Sequence, residues 1–66
     1  MAAASGDYAI EVVLGKTNFV RLVSTHNGQT LMVGETYDTK WGARRAGKRL
    51  ADKNNFVLRE VFSNGS

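Results

Sequence analysis

The 66-residue chain contains neither cysteine nor proline. Without cysteine there is no disulfide framework and no thiolate metal site, so a domain this small must be held by packing alone or by association. A cytoplasmic setting is the expectation. Without proline, no residue forces a break in a helix or strand. No window approaches the roughly twenty apolar residues of a membrane span. Residues 1–7 (Met-Ala-Ala-Ala-Ser-Gly-Asp) hold no basic residue and no apolar run of signal-peptide length. A soluble, non-exported protein with no membrane partner is expected.

Chemistry-bearing motifs are equally sparse. The lone histidine, His26, stands beside Asn27-Gly28 with no second His to complete a coordination shell, so no metal is expected and His26 reads as a turn residue. The six carboxylates, Asp7, Glu11, Glu35, Asp38, Asp52 and Glu60, are scattered, and none has a local partner that suggests an acid/base pair. No Gly-x-Gly-x-x-Gly or Gly-x-x-x-x-Gly-Lys motif occurs, and the serines sit in termini and turns without a nucleophile elbow. The sequence therefore predicts no catalytic residue, no cofactor, no small-molecule substrate and a non-enzymatic role.

What is present is an ordinary globular composition, with 42% apolar and 23% charged residues, which is enough for a fold and too short for two domains. One domain spanning residues 1–66 is expected, with 1–6 and 63–66 frayed. Residues 8–14 (Tyr-Ala-Ile-Glu-Val-Val-Leu) are β-branched and apolar and end at Gly15-Lys16, which predicts a strand turning into a second strand over 19–24. Asn27-Gly28 is the strongest turn signal, because both residues tolerate the positive φ of a tight hairpin. A third strand over about 30–36 follows. Asp38 or Thr39 can cap a helix rich in Ala, Arg and Lys that runs to about Lys53 and closes at Asn54-Asn55. Residues 56–62 (Phe-Val-Leu-Arg-Glu-Val-Phe) read as a fourth strand. The order β-β-β-α-β predicts an α+β fold, a three- to four-stranded, mostly antiparallel sheet with one helix packed on it.

At 100° per residue, Ala43, Ala46, Gly47 and Leu50 share one helix face, flanked by Gly42 and Ala51. Small residues let the helix backbone approach the sheet, and Leu50 is the expected apolar anchor. Trp41, Arg44, Arg45 and Lys48 lie opposite, at i, i+3, i+4 and i+7. Charge is segregated too: Lys40, Arg44, Arg45, Lys48, Arg49 and Lys53 less Asp52 give the helix +5, whereas the rest of the chain sums to −2. Such a concentrated patch creates a field that attracts phosphates or an acidic protein surface.

The strands carry apolar residues on both faces, Ile10, Val12 and Leu14 against Ala9 and Val13, and Val20 and Leu22 against Phe19 and Val23. One helix covers one face. The other, with Val13, Phe19, Val23 and Met32, would leave a patch larger than monomers usually expose, which predicts a homodimer that buries it, joined through the sheet face or its edges. Exchange of the last strand between chains is one form this could take.

Residues 19–40, with Phe19, Arg21, Leu22, Asn27, Gly28, Glu35, Tyr37, Thr39, Lys40 and, just beyond, Ala43, resemble the YegP-like family of small uncharacterised proteins. That pattern has an aromatic-x-Arg-Leu strand, an Asn-Gly turn, a strand ending near a Tyr and a Ser/Thr-Lys helix start. The resemblance runs from about Tyr8 to Lys53 and implies a three-stranded sheet with one helix, and single-copy members that pair. It brings no activity with it. Trp41 departs from the pattern, which usually has a small or polar residue there. The helix is also more basic and the last strand longer and more apolar.

Together these readings predict a small basic binding module. Its expected site is Trp41, Arg44, Arg45, Lys48 and Arg49, with nucleic acid the first candidate partner. The alternative is a protein-interaction module, such as a small inhibitor or adaptor, binding an acidic protein partner through the same residues or a free sheet edge.

Overall fold

A computed structural model describes residues 5–63. Strands β1 (Ser5–Leu14), β2 (Asn18–Ser24) and β3 (Thr30–Tyr37) are followed by helix α1 (Lys40–Asn54) and strand β4 (Phe56–Phe62), an α+β fold in the expected order. Across the sheet the strands lie β3-β2-β1-β4. The two hairpins make β1, β2 and β3 antiparallel neighbours, and β4 joins the free side of β1 in parallel. The parallel pairing follows from the crossover, since a helix must carry the chain from one edge of the sheet to the other.

Local chemistry sets the element ends. Gly28 turns at φ 71°, while the Asn27 Oδ1 accepts from the Gln29 N–H at 2.9 Å. Thr39 is extended and its Oγ1 accepts from the Gly42 N–H at 3.0 Å, which settles the helix cap on Thr39 over Asp38. Asn55 closes the helix in the left-handed conformation, and its N–H donates to the Ala51 carbonyl. The first strand starts earlier than expected, because the hairpin continues past Tyr8. Thr25 donates to the Asp7 carbonyl at 3.0 Å through its N–H and to the Gly6 carbonyl through its Oγ1. At the other end the Ser63 N–H donates to the Leu14 carbonyl at 2.9 Å. Gly6 and Ser63, in the two segments expected to fray, thus take part in the sheet's hydrogen bonding, and residues 1–4 and 64–66 lie outside the described residues.

The core lies between α1 and one sheet face. Ile10, Val12, Leu14 and Val20 meet Ala43 and Ala51, with Leu22, Tyr37, Ala46 and Phe56 at the margin. A Cβ built on Gly47 would stand 2.3 Å from the Val12 Cγ2. Only glycine permits that approach, and it fixes which way the helix rolls: Ala43, Gly47 and Ala51 face the sheet. Leu50 is therefore not the central anchor. It is turned about one sector aside and left 40% exposed, because the closest line of contact has no room for a leucine.

The second face also differs from expectation. Val13 and Val23 are buried at 4% and 1% exposure, and Phe19 is half-buried. Val13 and Phe19 share a shallow depression with Arg21, Val33 and Val61. Met32 is on the helix side instead. Had the register set by Asn18 and Tyr37 continued, Met32 would oppose Val23. An irregularity between Phe19 and Arg21 shifts β3 by one residue, so that Met32 opposes Leu22, and a second follows between Leu22 and Val23. Val33, opposite Arg21 and 63% exposed, stands on the second face in the place expected of Met32.

Candidate nucleic-acid interface

The outer side of α1 follows from its inner side. With Ala43, Gly47 and Ala51 against the sheet, the helical period places Trp41, Arg45, Lys48 and Asp52 along the opposite line, with Arg49 beside it. Trp41, in the first turn, is 66% exposed. The Arg45 guanidinium carbon stands 5.2 Å from the centroid of its ring, a cation–π distance that holds an arginine and an indole side by side in solvent. No acidic residue occupies the first helical turn, so the positive end of the helix dipole reinforces the cations there.

The five residues expected to form the site are not equivalent. Arg44 leans towards β4, where its Nε donates to Glu60 Oε2 at 3.1 Å and its second nitrogen to Oε1 at 3.4 Å. Its charge is largely answered within the chain. Lys48 and Arg49 are exposed, and among the described residues no ion pair includes either, nor Lys40, Arg45 or Lys53. Asp52 tempers the C-terminal end of the stripe. Trp41, Arg45, Lys48 and Arg49 thus remain on the exposed side of the helix, from its first turn to just past its middle.

A second charged cluster was not legible as a unit in the sequence. Glu11, 9% exposed at the centre of the sheet, accepts from Arg21 on β2 at 2.7 Å and from Arg59 on β4 at 2.9 Å. Half of it could have been found by counting outward from the Gly15 turn, which sets Glu11 opposite Arg21. The other half required knowing that β4 adds in parallel beside β1. The cluster joins three strands across the face that carries no helix, and a carboxylate held between two guanidiniums serves there as a structural tie.

Other features carry less chemistry. His26 is exposed at the hairpin tip with its Nε2 3.0 Å from Asp7 Oδ1. Among the described residues no three His, Cys, Asp or Glu side chains could together hold a metal ion, and no helix is long and apolar enough to cross a membrane. An apolar cleft of about 300 Å³ opens beside α1, where the single helix does not reach over β2 and β3, walled by Val20, Leu22, Met32, Leu50 and Phe56. Two polar residues reach its wall, and both are engaged elsewhere. Arg21 is turned to Glu11 on the far face, and the Asn54 amide donates to the Leu50 carbonyl at 2.9 Å. No family model, curated protein or solved structure matches the chain.

Proposed function

We propose that the chain is a small non-enzymatic module that binds single-stranded nucleic acid on the outer face of α1. Trp41 stacks on an unpaired base while Arg45, Lys48 and Arg49 hold the flanking phosphates. One observation carries the reading, the exposure of the sole tryptophan beside Arg45. Tryptophan is the residue whose burial a small domain can least forgo, yet this one is left in solvent among cations. A large π-face next to guanidinium and ammonium groups is what a sequence-tolerant single-strand surface requires.

Anisotropy titration of a labelled oligonucleotide across salt concentrations tests it. Three phosphate contacts give a slope of log affinity on log salt of roughly −2, or about a tenfold loss for a threefold rise in salt. Replacing Arg45, Lys48 and Arg49 together by Gln flattens that slope. Trp and Arg also favour protein interfaces. A stoichiometric complex with an acidic protein, insensitive to salt and formed without any affinity for oligonucleotides, would move the assignment to that alternative.

A further inference from the structure

The two edges of the sheet are defended very differently. On β3, irregular pairing at two places bends the strand, and Glu35 adds a charge, both familiar guards against strand addition. β4 has neither proline, lysine nor bulge over Val57–Phe62, where it pairs regularly with Ala9–Leu14. It does carry Arg59 and Glu60. Both are withdrawn from the edge, Arg59 onto Glu11 at 2.9 Å and Glu60 onto Arg44 at 3.1 Å. Val57, Leu58 and Phe62 remain exposed along it.

The sequence of β4 is also nearly the same in both directions. About Arg59, Phe56 mirrors Phe62 and Val57 mirrors Val61, with only Leu58 and Glu60 differing. An antiparallel pair of identical strands about a two-fold axis sets each residue against its mirror image, so a strand of this kind is complementary to itself. We propose that β4 pairs with β4 of a second copy of this chain about an axis at Arg59, joining two four-stranded sheets into one. The register puts Phe56 against Phe62, Val57 against Val61 and Leu58 against Glu60. The two Arg59 side chains meet on the axis, each drawn towards Glu11 of its own sheet. On the order of six backbone hydrogen bonds form across the seam. Because α1 packs mainly on β1 and β4, the pairing sets both helices on one face beside the seam. The proposal stands independently of what α1 binds.

The absence of cysteine makes a clean test available. Arg59→Cys puts one thiol from each copy on the axis, within disulfide reach for directly opposed residues. The expected result is a covalent dimer of Arg59→Cys under mild oxidation and none of Val33→Cys on β3. Sedimentation of the unmodified protein should give twice 7.2 kDa. Leu58→Glu, which opposes Glu60, should weaken association at least tenfold, while Leu58→Lys should retain it. Circular dichroism confirms that each variant is folded. A monomer at millimolar concentration, or cross-linking through Val33→Cys in place of Arg59→Cys, overturns the proposal.

Discussion

The two sides of α1 obey different constraints. The inner side is fixed by steric exclusion: Gly47 lies so close to Val12 that no Cβ fits, and Ala43 and Ala51 extend the same narrow contact. The outer side is fixed by nothing in the fold. Trp41, Arg45, Lys48 and Arg49 project into solvent, and apart from the Arg45 and Trp41 contact no packing accounts for their identity. A residue whose identity the fold leaves free is where binding chemistry can reside, and here those residues are large, aromatic and cationic. The difference separates the part of the helix that holds the domain together from the part to which we assign binding.

Substitutions on each side can break this division or sharpen it. The largest effect is expected from Gly47→Val, which drives a branched side chain into Val12 and should abolish cooperative unfolding in thermal melts. Gly47→Ala should destabilise by about 1–3 kcal/mol through overpacking, although alanine favours helix by about 1 kcal/mol. Val12→Ala in the same chain should recover part of that loss, since it removes the atom in the way. Glu11→Gln leaves two guanidiniums without their carboxylate. Both arginines reach solvent, so the expected cost in urea denaturation is about 1–3 kcal/mol, short of that for a fully enclosed pair. Thr39→Ala removes the helix cap and should cost about 1 kcal/mol. Trp41→Ala should change stability by no more than about 0.5–1 kcal/mol, the worth of an exposed cation–π contact, while lowering oligonucleotide affinity about tenfold or more. A loss of stability from Trp41→Ala as large as from Gly47→Ala would erase the distinction between the two sides.

Much of the fold could be read from local chemistry. Asn27-Gly28, Thr39 and Asn55 each act on their nearest neighbours, so their turn and caps were visible in sequence, and β4 falls where its run of apolar residues placed it. What escaped depends on distant parts of the chain. The first irregularity in β3 moves Met32 to the helix side, and its signal in the sequence is Gly34, a glycine inside the strand at the point where the register shifts. The roll of α1 depends on the meeting of Gly47 with Val12, which turned Leu50 outward. Arg44 was counted among the free cations because Glu60, its partner, is sixteen residues away on a strand whose neighbour was unknown. The helical period alone places the remaining members of the stripe together, but the exposure of Trp41 was not legible, because tryptophan is usually buried.

We propose Trp41 and its neighbouring cations as a nucleic-acid surface. Trp41 is the only tryptophan, so its emission reports on that surface alone. The most direct measurement follows this emission while single-stranded DNA or RNA is added at low and at moderate salt. Saturable quenching is expected at low salt, weakening about tenfold for a threefold rise in salt. Emission that stays unchanged at low salt up to millimolar oligonucleotide would contradict it.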